Sequence, residues 1–580
     1  MPLALRHQLG LLVVAALVFF VNLGRSQLWD EDEPKNAQCA REMFERGDWI
    51  TPTFNQSLRY DKPVLVYWLM ISAYQQWGVN EFAARFWSAL LAVGTTLTTY
   101  HIGRMLFTVR VGFWAGWMMA TSLLFVVAGR AATPDSALIF CTTLAMLAFV
   151  RATWGACPTL TGADSLNDYL PKTWRGFVLM YAALAAGVLA KGPVAAVVPL
   201  MALACFLLCV RQAIAPAAPN KFSYVCRALS PAGWIEVIWK LRPLTALVVV
   251  AAIALPWYAA VGLRTEGDWL RGFFGQHNFG RFLNTMEGHR GPLVYYLPAM
   301  LFGFFPWSVL LPAALWQLRR KVSADRNWAA YLFAACWAGV WIGFFSLSAT
   351  KLPSYALPAF PALALLAAAW LDGWLSKPDV IAAWLPRLAF ATLVLVGVCI
   401  SVGLLIVARR SLPGDEWVAC VGTPLIIGGV LGFLWSAHRP RRAAAALAAC
   451  SLAFAVVTFG FGAPAVSRHQ NSAALASIAR RSQNSPPRLA TFDYSPPSLV
   501  FYAASRVEPF FAPGELARYL GEQPEAMIVC DGRGFDALKP ALPDGFEVVA
   551  RQRRFLRSGD VLLLGRRHEL ARRTTSTRGT

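Results

Sequence analysis

Charge is scarce in this chain. Of its 580 residues, 15% are Asp, Glu, Lys or Arg, while 57% are hydrophobic and 13% aromatic; a soluble domain averages roughly 25% charged. With a mean hydropathy of +0.47, a water-soluble globule is excluded, and most of the chain belongs in lipid. Acids are scarcer than bases, 32 against 53, for a net charge of +21. No Lys/Arg-rich run interleaved with aromatics accompanies that excess, which excludes a nucleic-acid surface. The basic residues are dispersed among apolar runs, as topological bias and binding of phosphate-bearing lipid would place them. No Gly-rich phosphate loop stands in a strand–helix setting, so no nucleotide is expected. The eleven cysteines include no CxxC pair and no zinc-finger spacing. Cys141, Cys205, Cys209, Cys336, Cys399 and Cys450 fall inside apolar stretches and read as small buried apolar residues, not as a disulfide framework or redox centre.

What is present is long apolar runs. A helix needs about 20 apolar residues to cross the hydrocarbon core. Candidate spans lie near 9–24, 82–103, 112–129, 136–152, 176–190, 193–210 and 244–262, then 294–317, 328–347, 354–373, 388–408, 418–436 and 443–462. This predicts an α-helical polytopic membrane protein of about 13 transmembrane helices. The first run could pass for a signal peptide. It has no small-residue cleavage site and leads into an acidic cluster, so it reads as an uncleaved span. Alternate loops carry Arg104 and Arg110; Arg151, Lys172 and Arg175; Arg211 to Arg242; Arg319, Arg320, Lys321 and Arg326; and Arg439, Arg441 and Arg442. The positive-inside rule assigns these loops to the cytoplasm, with Arg409 and Arg410 as the violation. The transmembrane unit covers 1–465, with external loops at 25–80 and 263–293. Residues 466–570 alternate short apolar runs, such as Ala526–Cys530 and Val561–Leu564, with polar and Pro/Gly stretches. They read as a small soluble α/β domain, followed by a disordered tail at 571–580.

The external loops then hold the polar residues that need explaining. The first carries Trp29-Asp30-Glu31-Asp32-Glu33-Pro34, Arg41-Glu42-Met43 and Tyr60-Asp61-Lys62-Pro63. Such acids can ligate a divalent cation or take a proton from an attacking hydroxyl, or can simply form a solvated loop. Arg130 and Asp135 in the second turn form either a local ion pair or part of a site. Lys191 in Lys191-Gly192-Pro193 either snorkels or binds phosphate. The loop before span eight holds His277, Arg281, His289 and Arg290, where imidazoles suit a metal or a base and Arg suits phosphate. Lys351 and Tyr355 sit at the outer end of span nine. Taken together on one face beside lipid, these groups suit a reaction on a phosphate-linked lipid.

In their order, these motifs resemble the polyprenyl-phosphate-sugar-dependent glycosyltransferases of the GT-C fold, in the group of protein O-mannosyltransferases and lipid A aminoarabinose transferases. The resemblance runs from about residue 10 to residue 370. It rests on Asp32-Glu33 with Arg41-Glu42-Met43, on Tyr60-Asp61-Lys62-Pro63, and on Asp135. Further along it rests on Arg281-Phe282, Tyr295-Tyr296-Leu297-Pro298, Pro306-Trp307 and Lys351-Leu352-Pro353 with Tyr355. It implies a GT-C fold and transfer of a sugar from a polyprenyl-phosphate donor to a hydroxyl- or phosphate-bearing lipid, protein or glycan. The plasma (inner) membrane is the expected location, with the site on the extracytoplasmic side. Position by position, Asp32, Glu33 and Asp135 are implied as catalytic acids. Lys62, Arg130, Lys191, Arg281, Lys351 and Tyr355 are implied at the donor phosphate. Asp61, His277 and His289 are implied at a divalent metal ion (Zn, Mg or Mn), with Asp61 where the aminoarabinose transferases carry Glu. A transporter or flippase, and a lipid-linked saccharide ligase, are the competing readings. The first would bury ionisable residues mid-membrane; the second shares the fold but takes a longer donor.

Overall fold

The computed structural model describes residues 2–155, 165–215, 230–280, 284, 288, 290–324, 327–483 and 487–566; the expected tail at 571–580 lies outside them. Ten of the described helices are long and apolar enough to cross a bilayer, and two further bent pairs qualify as spans. The first nine helices are α1 (Leu3–Phe20), α2 (Asp32–Arg46), α3 (Leu65–Trp77), α4 (Glu81–Leu106), α5 (Val109–Thr121), α6 (Leu123–Arg130), α7 (Asp135–Trp154), α8 (Trp174–Lys191) and α9 (Val194–Ile214). Each stretch expected from hydropathy falls on a helix or a bent pair. The stretch at 82–103 is α4, 26 residues long and less apolar than the ten. Its buried Thr95, Thr96 and Thr99 donate to the carbonyls of Leu91, Ala92 and Thr95 at 2.9, 3.0 and 2.8 Å, so these hydroxyls enter the interior already satisfied.

Two expected spans are not straight. α5 and α6 bend by 63°, and Leu293–Gly303 with Trp307–Arg319 bends by 114°. Pro306 stands at the second break, where it cannot donate to a helix and disfavours helical backbone in the residue before it. Backbone groups freed inside a membrane must find partners, and the two breaks supply one another. Leu123 N donates to Phe305 O at 2.9 Å, and the Trp307 indole donates to Thr121 Oγ1 at 2.8 Å.

The loop expected at 25–80 is built, not slack. It contains α2, a hairpin of β1 (Thr53–Phe54) and β2 (Ser57–Leu58), and α3. Beyond the bundle lies a five-stranded sheet of β3 (Leu489–Phe492), β4 (Val507–Phe510), β5 (Met527–Asp531), β6 (Phe546–Arg553) and β7 (Asp560–Arg566), in the order β4-β3-β5-β7-β6. β4, β3 and β5 run parallel, with helices Pro497–Ala503 and Pro513–Glu522 as crossovers, while β7 is antiparallel to β5 and β6. Every residue of β3 is buried, as expected for a strand covered on both faces. This unit fastens onto the first loop. Ser498 N and Oγ donate to Asp30 at 2.8 and 2.6 Å. Asn55 exchanges two hydrogen bonds with the Val507 backbone, at 2.7 and 3.0 Å.

Candidate functional site

Asp135 opens α7 and Lys191 closes α8, so each charge sits at the helix end that favours it. Both ends lie on the same face of the bundle, and Lys191 Nζ donates to Asp135 Oδ1. Gly192 follows with φ +84°, a conformation glycine adopts without penalty. It turns the chain at once into Pro193 and α9, and the ammonium stays at the lip. The Tyr355 ring centroid lies 5.5 Å from Lys191 Nζ, within cation–π range. The field of Asp32, the exposed first residue of α2, also reaches this ammonium.

Across from this pair, Asp61 takes Arg59 at 3.0 Å and His277 Nε2 at 3.1 Å. The His277 ring stands 5.5 Å from that of Tyr60. Asp61, Lys62, Lys191, His277 and Tyr355 all line one cavity of about 390 Å³. Its other wall is apolar and includes Val194 and Val197 of α9 and Trp341 and Phe344 of the helix Trp328–Leu347. One end of the cavity is therefore cationic and the other is built from membrane-spanning helices. That combination suits a ligand with an anionic head and a hydrocarbon tail.

Three residues expected at the site are engaged elsewhere. Glu33 is buried and takes both arms of Arg85, at 2.8 and 2.7 Å. It also accepts from Trp29 N at 2.8 Å and Ala132 N at 2.7 Å. With its oxygens filled, it fixes α2 to the turn before α7. Arg130 donates to Val18 O, Val21 O and Phe459 O at 2.7, 2.8 and 3.0 Å, satisfying two carbonyls at the end of α1 and one in the helical segment Val456–Gly462. Lys351, 4% exposed, donates to the carbonyls of Phe345, Ser346 and Ser348 at 3.1, 2.6 and 2.5 Å. There it caps carbonyls at the end of the helix Trp328–Leu347. Arg281 and His289 lie outside the described residues.

A metal finds a partial donor set here. Asp61 and His277 offer a carboxylate oxygen and an imidazole nitrogen, types zinc accepts, but a structural or catalytic zinc takes at least three protein ligands. Arg59 shares the carboxylate and opposes a second cation. Among the described residues, one group of three or more ligating side chains converges, and it lies elsewhere: the thiols of Cys205, Cys209 and Cys336 sit within 4.8 Å of one another. These three had read as small buried apolar residues; Cys205 and Cys209 are one turn apart on α9, and Cys336 comes from a separate helix.

Two arginines organise the site without having been foreseen. Arg85 lies in α4 and binds Glu33. Arg59, buried, donates to Tyr67 Oη at 3.3 Å and Asn36 Oδ1 at 3.4 Å and pairs with Asp61. A lone arginine inside an apolar run was the available signal for Arg85, because such a charge needs a partner.

Residues 6–264 match the dolichyl-phosphate-mannose-protein mannosyltransferase family. An undecaprenyl phosphate-alpha-4-amino-4-deoxy-L-arabinose arabinosyl transferase of Pectobacterium carotovorum is 30% identical over 463 residues, 78% of this chain and 75% of that protein. The crystal structure of ArnT from Cupriavidus metallidurans in the apo state superposes with a TM-score of 0.73 at 22% identity, covering 96% of this chain and 97% of that one. Its complex with undecaprenyl phosphate gives a TM-score of 0.72. An archaeal oligosaccharyltransferase from Archaeoglobus fulgidus shares the fold more distantly, with a TM-score of 0.52 at 13% identity. The chain is thus a multi-pass membrane glycosyltransferase of the GT-C fold that uses a lipid-phosphate-linked donor, and it belongs to the family of the undecaprenyl phosphate-aminoarabinose arabinosyl transferases.

Proposed function

We propose that this chain transfers an aminopentose of the 4-amino-4-deoxy-L-arabinose type from undecaprenyl phosphate to a hydroxyl or phosphate of an envelope glycolipid such as lipid A, on the periplasmic side of the inner membrane. The observation that carries the reading is the cavity in which Lys62 and Lys191 face a wall of membrane-spanning helices. The pentose follows from the names of the relatives. The side of the membrane follows from the Lys/Arg-rich loops on the opposite face.

In the proposed reaction, the bond between the anomeric carbon and the lipid phosphate breaks with inversion as a bond to the acceptor oxygen forms. The acceptor's proton passes to Asp32, whose carboxylate makes no hydrogen bond or ion pair among the described residues. The lipid phosphate departs with both bonding electrons. Lys62 and Lys191 meet its growing negative charge, which is where fixed cations accelerate such a step most. Asp135 holds Lys191 in place, and Tyr355 covers its ammonium. Asp61 and His277 would offer a divalent metal ion two ligands, the carboxylate being shared with Arg59.

The test uses the full-length protein in nanodiscs with the undecaprenyl-phosphate-linked aminopentose and lipid A. Asp32→Asn and Lys62→Ala are each expected to lower sugar transfer by about 10²–10³-fold with unchanged thermal unfolding. Near-normal transfer by both variants would discard the assignment.

A further inference from the structure

We propose that the face opposite the candidate site holds an anionic glycerophospholipid, its phosphate in a cavity at the helix ends and one acyl chain in a groove that opens from it. Residues Phe360–Ser376 form the helix that follows Tyr355 at the site, and its far end reaches the opposite face. There, beside Thr108 and Lys321, lies a cavity of about 520 Å³. Among its lining side chains, Lys321 and Lys377 stand against one carboxylate, Asp372. Asp372 is already engaged by Arg110 at 3.0 Å, so among the described lining residues the cations outnumber the carboxylates. Basic pockets between helix ends on the cytoplasmic side are where anionic lipid headgroups bind.

A second observation extends the first into the bilayer. A groove of about 280 Å³ shares Trp370 and Leu385 with this cavity. It follows the helix Trp384–Ser411 past Leu388 and Thr392 to Val396. From Leu385 to Val396 that is a climb of about 16 Å at the α-helical rise, close to the half-thickness of a hydrocarbon core, roughly 15 Å. The groove is thus the length of one leaflet's acyl chain. At the junction stands Trp370, 5% exposed, whose buried indole N–H has no hydrogen-bond partner among the described residues. A glycerol-ester carbonyl would lie at this depth, between head and tail, and would accept from it. The bent pair Leu293–Gly303 and Trp307–Arg319 supplies the groove's other wall through Phe305 and Val309. The lipid would therefore fill the space that the 114° bend opens.

The experiment is thermal unfolding of the delipidated full-length protein in detergent with added dioleoyl-phosphatidylglycerol. A saturable rise in melting temperature is expected, because a ligand that binds the folded state alone stabilises it. Dioleoyl-phosphatidylcholine, with the same tails and a neutral head, should give a weaker shift, and glycerol 3-phosphate none at equal concentration. Lys321→Ala with Lys377→Ala should raise the half-saturating phosphatidylglycerol concentration by roughly thirty-fold, the product of two surface lysines' attraction to an anionic lipid. Thr392→Phe, which fills the groove from a half-buried position, should remove the shift while both lysines remain. Equal shifts by the two phospholipids, an unchanged titration in the double lysine variant, or full reproduction by glycerol 3-phosphate would each overturn the proposal.

Discussion

Asp32 and Glu33 are neighbours at the start of one helix, and their fates differ completely. Asp32 faces outward, and its field reaches the ammonium of Lys191. Glu33 points inward and is filled by Arg85 and two backbone N–H groups. The same division runs through the cations. Lys62 and Lys191 border open space with an apolar far wall, whereas Arg130 and Lys351 end on backbone carbonyls. One set is placed where a substrate's charge can arrive; the other satisfies backbone carbonyls near helix ends. Chemistry is therefore expected from the first set and stability from the second.

The largest effect that could break this division is on turnover. Lys191→Ala should lower transfer by about 10²–10³-fold and also leave the half-buried Asp135 without its partner. Lys62→Ala should lose the same turnover with unchanged unfolding. A radiolabelled transfer assay beside thermal unfolding separates the two, and a Lys62 variant that transfers normally would place the phosphate elsewhere.

Next in size is the buried pair. Arg85→Met leaves the Glu33 carboxylate uncompensated, and removing one partner of a buried ion pair costs about 3–5 kcal/mol. Low yield of folded protein in detergent is expected, with partial recovery when Glu33→Leu is added. A stable Arg85→Met protein that had merely lost activity would move Glu33 back among the catalytic groups. Lys351→Met is milder: it leaves carbonyls without donors, for about 1–3 kcal/mol, and transfer per folded molecule should stay within a few-fold of the parent.

The spans were legible because membrane insertion depends on a local quantity, the length of an apolar run, and a run can be read without knowing its neighbours. Its straightness was not legible. The bends at Ser122 and Pro306 are tolerated because residues far apart in sequence answer each other, Leu123 with Phe305 and Thr121 with Trp307. The site was legible to the same degree. The motifs Asp61-Lys62, Asp135, Lys191 and Tyr355 could be found because polar residues between apolar runs are conspicuous. Which of them face a cavity depends on partners such as Arg59 and Arg85, and on the rotation of about 100° per residue that separates Asp32 from Glu33. The thiol cluster of Cys205, Cys209 and Cys336 was invisible for the same reason, since its third member comes from another helix.

The smallest effect concerns the clasp between the first loop and the carboxyl-terminal sheet. Burial raises the pKa of the Asp30 carboxyl above its ordinary value of 3.8, and the Ser498 hydrogen bonds pull it part of the way back. The folded protein therefore holds this proton to higher pH than the unfolded chain does. Its contribution to stability is complete below the ordinary value and declines as pH rises through the raised one. Ser498→Ala removes the hydroxyl that favours the charged form, so the variant's Asp30 should titrate higher still. The difference between parent and variant should then grow with pH across the acid range. At neutral pH it should reach about 1–2 kcal/mol, the worth of a hydrogen bond to a charged group. Thermal unfolding of both proteins from acid to neutral pH measures it. A difference that shrank as pH rose would mean that the Ser498 hydroxyl supports the protonated carboxyl, and the clasp would have to be rebuilt around a neutral Asp30.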